Sequence, residues 1–189
     1  MMSAQKLSYG IILGANFYND QSSNSDGEDE VFFDSGNDEF IVPNIGGYLE
    51  YQLSANIGVK LEATTNKKTF EKGIHHSSLG EIYVLRYLDI NPNFKYDFRK
   101  EYRKGFYILA GPKFAILTKA KFQGRNVTSE FEKVALGLEL GFGQRILKVL
   151  ELETKIDYGL SPFFKITSSN NSKLFGVYFQ LNVDLERIF

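Results

Sequence analysis

The sequence contains no cysteine, no tryptophan and only 4 prolines among its 189 residues. The absence of thiols excludes disulfide bonds, thiolate metal sites and cysteine nucleophiles. No stretch approaches the roughly 18 consecutive apolar residues that a membrane-spanning helix requires. A helical membrane protein is therefore excluded. A membrane β-barrel is not, because its lipid-facing residues are hidden in alternation.

Aromatic residues and glycine are abundant, with 17 Phe, 11 Tyr and 17 Gly. Aromatic side chains fit the pleated surface of a sheet, so this composition favours a β-rich protein. The length suits one domain.

Residues 1–5 lack a charged stretch followed by an apolar core, and Ser3-Ala4-Gln5 is similar to the region around a signal cleavage site. We expect them to be a residual N-terminal segment that precedes a single domain over residues 6–189.

Apolar and polar side chains alternate with period two along eight segments, the pattern of β-strands. Several segments reach the roughly 9–11 residues that a tilted strand needs to cross a bilayer. Residues 83–87 are apolar on both faces, which indicates a bulge. The eight segments are 7–17, 41–53, 57–64, 83–98, 106–116, 134–143, 150–160 and 175–189.

The connections between these segments are long and short in strict rotation. The long ones are 18–40, 66–80, 119–130 and 161–173, and the short ones are 54–56, 99–104 and 144–148. Outer-membrane barrels have this rhythm, with long extracellular loops and short periplasmic turns. The sequence therefore predicts an all-β fold, an eight-stranded antiparallel up-and-down transmembrane β-barrel in the cell outer membrane.

The two faces of each predicted strand differ in chemistry. The polar faces are rich in glycine and carry both charge signs, which suits a narrow interior with paired charges. We therefore expect the apolar faces, including Leu138, Leu140, Phe179 and Leu181, to meet lipid. The alternative is a soluble lipocalin-like barrel, whose apolar face lines an interior that binds a ligand.

Several sequence blocks carry a resemblance to known barrels. The chain ends in Phe189 and so resembles outer-membrane barrels, whose last strand typically ends in a Phe read by the barrel-assembly machinery during insertion. It resembles more closely the PorT-like family of small outer-membrane barrels, in four blocks at 87–92, 106–112, 137–143 and 158–161. This resemblance implies a non-enzymatic structural, adhesive or secretion-associated role, with outer-membrane lipids and a protein partner at the loops.

Residues 18–40 contain eight acidic residues and neither Lys nor Arg. The remaining 15 acidic residues are outnumbered by the 22 basic ones, so the rest of the chain has a net charge of +7. Asp26-Gly27-Glu28-Asp29-Glu30 is dense in oxygen ligands but does not match the EF-hand loop. We interpret the segment as a solvated loop and predict no metal site and no cofactor.

His76, Ser78 and Glu81 are the strongest catalytic candidates. Some outer-membrane barrels are lipid A deacylases with a His-x-Ser pair near the extracellular rim, and these residues could act as base, nucleophile and orienting carboxylate. The surrounding motif of those enzymes is missing, and their pair lies later in the chain. A lipid hydrolase using His76 and Ser78 is therefore the alternative to a non-enzymatic barrel, and no catalytic residue is assigned.

Two further patterns have simple structural explanations. Arg99, Lys100, Arg103 and Lys104 lie in one predicted periplasmic turn, where they can touch anionic headgroups or a periplasmic partner. Gly137, Gly141 and Gly143 have the spacing of one strand face. The remaining basic residues are dispersed along the chain, which argues against nucleic-acid binding.

Overall fold

A computed structural model describes residues 7–20, 31–34, 42–74, 77–99, 105–165 and 173–188. These residues form strands and two short 3₁₀ turns, Thr128–Glu130 and Leu185–Arg187. No helix in these ranges has the length and apolarity to cross a membrane. The strands are β1 Leu7–Asp20, β2 Val31–Asp34, β3 Val42–Gln52, β4 Ile57–Ile74, β5 Ser77–Asp97, β6 Phe106–Phe122, β7 Arg125–Asn126, β8 Val134–Leu147, β9 Leu150–Gly159 and β10 Leu174–Asp184.

Eight of these strands form a closed wall. Apart from the short β2 and β7, each strand pairs with the next in the chain, and all pairings are antiparallel. The wall closes where β10 pairs with β1, with Val183 opposite Ile11. Closure leaves no unpaired edge in the wall. The predicted eight-stranded antiparallel up-and-down barrel is confirmed.

The apolar faces point outward. Leu138 is 51% exposed, Leu140 58% and Phe179 51%, while the intervening Glu139 is buried. This confirms the predicted orientation of the faces. The soluble lipocalin-like alternative is wrong, because the interior is charged and the outer wall is apolar.

The outer apolar band has the height of a bilayer core. Along β5 it runs from Leu88 to Phe98, the residue that follows the strand, and on β6 from Phe106 to Ile116. About ten residues at roughly 3.3 Å each, tilted by about 40°, rise about 25 Å, the usual height of the apolar band in outer-membrane barrels.

Strands β4 and β5 extend well beyond this band. The segment 66–80, predicted as a loop, is mostly strand, because β4 continues to Ile74 and β5 starts at Ser77. Above the membrane both faces of a strand can meet water. The strands can therefore continue to pair by backbone hydrogen bonds without alternating apolar and polar residues. Since strands are predicted from that alternation, this part of the sequence resembled a loop.

The acidic segment 18–40 is also partly strand. Its first three residues belong to β1, and β2 pairs with β4 from Val31 opposite Ile74 to Asp34 opposite Glu71. Since β3 pairs with a lower part of β4, β2 continues the line of β3 above the barrel. Residues 21–30 and 35–41 lie outside the described residues.

Two details concern the strand ends and the bulge. The eighth strand, predicted to continue to 189, stops at Asp184 and is followed by a 3₁₀ turn, while Phe189 lies outside the described residues. The predicted irregularity near 83–87 is present, since the β5–β6 register shifts between Arg86 and Tyr87. The extra residue is Thr118, on the neighbouring strand β6.

Candidate functional site

The barrel interior is filled by layers of charged side chains. In the layer nearest the short turns, Lys95 Nζ lies 3.1 Å from Glu50 and 3.8 Å from Glu151. Arg145 pairs with Glu151 and lies 3.4 Å from Asp184. These residues come from five strands, and each occupies an inward position of its alternation.

The middle layer is the densest. Lys155 Nζ pairs with Glu62 and lies 3.1 Å from Glu139 and 2.9 Å from Glu153. Lys60 Nζ lies 2.8 Å from Glu62 and 2.7 Å from Glu153. The side chains of Lys60 and Lys155 are fully buried. Two lysines thus share three carboxylates, which offsets the desolvation of burying them.

Neutral donors complete this layer. Asn93 Nδ2 donates to Glu139 Oε1 at 2.8 Å, and Asn91 Nδ2 donates to Glu139 Oε2 at 3.2 Å. The Tyr107 hydroxyl donates to Glu153 Oε2 at 2.7 Å. These hydrogen bonds supply donors to carboxylate oxygens that the lysines alone do not fully satisfy.

The third layer is centred on Lys113. Its Nζ lies 2.7 Å from Asp157 and 3.1 Å from Asp89, and it donates to the hydroxyls of Tyr18 and Tyr178. Tyr178 in turn donates to Asp89 at 3.3 Å. The charged interior therefore ends in a ring of tyrosines towards the long loops.

Lys68 lies at the same level and makes a different kind of contact. Its Nζ lies 3.9 Å from the centroid of the Tyr18 ring and 4.5 Å from that of Tyr87. Ring faces attract a cation most strongly where water is excluded. This contact joins the charged layers to the apolar cluster above them.

An apolar cluster, which we call the aromatic cap, closes the end of the barrel on the side of the long loops. The rings of Tyr83 and Phe122 pack in a tilted arrangement with centroids 4.5 Å apart, and the centroids of Phe131 and Phe164 are 4.8 Å apart. The Glu132 amide donates to the Phe163 carbonyl at 3.0 Å, which ties the two loops together. The buried residues of the cap are Tyr18, Tyr83, Leu85, Tyr87, Ala115, Leu117, Ala120, Phe131, Phe163, Leu174 and Tyr178.

Interior glycines make room for these rings. A Cβ at Gly143 would clash with the Tyr107 ring, and one at Gly176 would lie 2.6 Å from Tyr18 Cε1. Gly137, Gly141 and Gly143 all face inward on β8, as their spacing predicts. They give the large side chains of neighbouring strands the space to cross the narrow interior.

Acids outnumber bases in the interior. Nine carboxylate residues and five lysines are buried among the described residues, namely Glu50, Glu62, Asp89, Asp97, Glu139, Glu151, Glu153, Asp157 and Asp184 with Lys60, Lys68, Lys95, Lys113 and Lys155. Four of the lysines each contact two or three carboxylates. No group of three or more His, Cys, Asp or Glu residues in the described ranges is arranged to hold a metal ion.

The side chains of the catalytic candidates are not among those that the structure describes. His76 is outside the described residues. Ser78 lies on β5 opposite Gly73, and Glu81 lies opposite Lys72, but the side chains of Ser78 and Glu81 are not described. The acidic run 26–30 and the basic residues at 100, 103 and 104 are also outside, whereas Arg99 is exposed beside its turn.

Two features of the structure are not predicted by the sequence patterns. The aromatic cap uses Phe131 and Phe163 from segments interpreted as loops, although large aromatic residues in a loop signal burial. Basic residues at the upper ends of β4, β5 and β6 also share one patch of the outer wall. Their common height is visible only once the register is known.

Comparison with known proteins agrees with this architecture. The sequence model of a family described as an outer membrane protein beta-barrel domain matches residues 3–165. The chain belongs to that family. It is therefore a protein of the cell outer membrane, consistent with its apolar outer wall. No curated protein matches the sequence.

Solved structures share the fold at low sequence identity. Ail of Yersinia pestis, in complex with the heparin analogue sucrose octasulfate, is 12% identical with a TM-score of 0.54, over 95% of this chain and 99% of Ail. Neisserial surface protein A is 14% identical with a TM-score of 0.55, over 95% and 99% of the two chains. OprG of Pseudomonas aeruginosa is 14% identical with a TM-score of 0.52, over 95% of each chain. These likenesses concern the fold alone.

Proposed function

We propose that this outer-membrane barrel is non-enzymatic, is PorT-like, and acts through its extracellular side in an adhesive or secretion-associated role. The filled interior is the observation that carries the proposal. Lys60, Glu62, Asp89 and Lys155 are each 0% exposed, so other protein groups surround them on all sides. Eight strands enclose an interior just wide enough for side chains, and here side chains fill it. The barrel interior therefore does not function as a passage for solutes.

The part of the barrel best placed to meet a partner is an extension above the membrane, which we call the extracellular sheet. It comprises β2, residues 69–74 of β4 and residues 77–84 of β5. Nine residues of β4 above Thr65 correspond to about 30 Å of strand, at roughly 3.3 Å per residue. Paired strands of this length present a firm surface outside the cell, which favours binding of a protein partner.

The barrel beneath supports this role. The aromatic cap and three ionic layers fix the upper strands on a rigid base, and a rigid scaffold that positions exposed segments is a common basis of recognition. β2 belongs both to the extracellular sheet and to the acidic segment 18–40, whose eight acidic residues carry negative charge. A partner with a basic surface matches this charge.

The test uses the native host with chromosomal variants. One variant lacks residues 21–30, and a second lacks the hairpin end 72–79. A matched control replaces the periplasmic turn residues Ser54, Ala55 and Asn56 by Gly-Ser-Gly. Surface adherence and the profile of secreted proteins are measured at equal outer-membrane levels of each protein.

We expect both extracellular variants to lose adherence or secretion as fully as a gene deletion, and the turn control to keep it. Heat-modifiable gel migration verifies that each barrel is folded. If both extracellular variants behave like the unaltered protein while the gene deletion has a phenotype, the proposal is wrong. The function would then lie in the barrel wall or the periplasmic turns.

A further inference from the structure

Three basic residues form a line across neighbouring strands on the outer wall. Lys67 on β4 is the register partner of Arg86 on β5, which is the partner of Lys119 on β6. Arg86 and Lys119 are exposed, and Lys67 is half-buried. Adjacent strands lie about 4.8 Å apart, so the three residues occupy about 10 Å of wall. We call them the basic row.

The bulge places Lys119 in this row. On β6 the odd-numbered Lys113, Ala115 and Leu117 point inward, and uninterrupted alternation would turn residue 119 inward as well. The extra residue Thr118 reverses the alternation, so that Ala120 is buried and Lys119 is exposed. Re-aiming a side chain is a recurrent use of bulges.

The row lies at the upper boundary of the apolar band. The outward residue below Arg86 is Leu88, and on β6 the apolar face ends at Ile116, before the bulge and Lys119. Since the long loops lie above, this height is where the hydrocarbon of the extracellular leaflet gives way to headgroups. Cations at this depth meet lipid headgroups rather than acyl chains.

Like charges in direct cross-strand register destabilise a sheet. The described ion pairs do not include Arg86, Lys119 or the nearby Lys121. The Thr118 hydroxyl donates to the Arg86 carbonyl at 2.9 Å, which holds the two strands together at the bulge. Within the described part of the chain, the positive charges of Arg86, Lys119 and Lys121 are left to be neutralised from outside the protein.

Two grooves flank Arg86 on the outer wall. One, of about 390 Å³, includes Lys67, Arg86 and Thr118 in its lining, and the other, of about 380 Å³, includes Arg86, Lys119 and Lys121. Each groove thus offers two or three cationic side chains at headgroup height. Guanidinium and ammonium groups bind phosphate through charge-assisted hydrogen bonds.

We propose that the basic row and Lys121 form a binding site for the phosphate groups of an extracellular-leaflet lipid with a phosphorylated sugar headgroup. The headgroup occupies the two grooves, and its acyl chains lie on the apolar wall below, against Leu88 and Ile116. This wall favours a lipid over a free anion, because only a lipid covers it together with the cations. The proposal requires only the outer-membrane location and is independent of the proposed function.

The test reconstitutes the full chain in phosphatidylcholine nanodiscs that contain bisphosphorylated lipid A or its dephosphorylated form. The variant is Arg86→Gln with Lys119→Gln, and the matched control is Arg99→Gln with Lys148→Gln at the periplasmic end. Lipid retained per protein is measured by native mass spectrometry. We expect the row variant to retain on the order of tenfold less phosphorylated lipid than the control, given the attraction of each base to anionic lipid.

Stability in plain detergent supplies a second readout. There the row variant should melt at or above the temperature of the unaltered protein, because like-charge repulsion is relieved. Bisphosphorylated lipid A should reverse this order, whereas inorganic phosphate should not. Equal lipid retention by the variant and the control overturns the site. Retention independent of the lipid phosphates also overturns it, and stabilisation by inorganic phosphate alone overturns the assignment to a lipid.

Discussion

Lys155 and Glu139 meet across neighbouring strands in the barrel interior, with Lys155 Nζ 3.1 Å from Glu139 Oε1. The same ammonium group also pairs with Glu62 and Glu153, so one cation from β9 links acids on β4, β8 and β9. Only Lys60 otherwise contacts Glu62 and Glu153 by ion pairs within the described part of the chain. The middle layer therefore depends on two buried ammonium groups.

Replacing Lys155 by Met should lower the free energy of unfolding by about 3–5 kcal/mol, because it leaves buried carboxylates uncompensated. Urea unfolding of the barrel in lipid vesicles, followed by tryptic protection and gel migration, measures this. Lys148→Met, at an exposed turn position, is the control and should change little. Equal stabilities of the two variants would show that the layer tolerates an unpaired acid.

Gly143→Ala should destabilise the barrel by about 1–3 kcal/mol, as expected for overpacking. The added methyl group would clash with the ring of Tyr107, which is held by its hydrogen bond to Glu153. Gly47→Ala is the matched control, since its nearest contact would be the Gly10 carbonyl at 3.3 Å. A Gly143→Ala protein as stable as this control would mean that the Tyr107 ring moves aside at little cost.

The intact protein should show no step conductance in planar bilayers. Replacing Phe131 and Phe163 by Ala opens the aromatic cap but leaves the Lys113 layer in place, so this variant should also remain closed. Defined, reproducible conductance steps of the unaltered protein would contradict the filled interior.

Removing Phe189 should impair assembly in the outer membrane rather than the stability of an assembled barrel. We propose that the barrel-assembly machinery reads Phe189 during insertion, as the resemblance to other outer-membrane barrels implies. Outer-membrane levels in the host and urea unfolding of protein refolded in vitro separate the two effects. Equal outer-membrane levels of the truncated and full chains would count against this expectation.

Ser78→Ala should leave the acylation of lipid A in the host unchanged, because we propose a non-enzymatic protein. Mass spectrometry of extracted lipid A, compared between the variant, the unaltered strain and a gene deletion, measures this. A shift in acyl-chain number caused equally by Ser78→Ala and by the deletion would favour the lipid hydrolase that uses His76 and Ser78.

Several properties of this protein could be predicted from the sequence by itself. The alternation at 134–143 assigns Leu138 and Leu140 to the lipid and Glu139 to the interior, because side chains in a strand point to opposite faces with a period of two residues. The rotation of long and short connections predicted the up-and-down barrel. Both properties depend only on residues that are close in the sequence, so they can be predicted without knowing which strands pair.

Only the tertiary structure decided which charges meet and which residues share a height on the wall. Lys155 reaches Glu62 over 93 positions of the chain, and Lys67, Arg86 and Lys119 align only through the register and the bulge at Thr118. The aromatic cap likewise joins Phe131 and Phe163 from separate loops. Such contacts depend on strand stagger and barrel closure, which couple all eight strands at once and cannot be derived from the periodicity of a single strand.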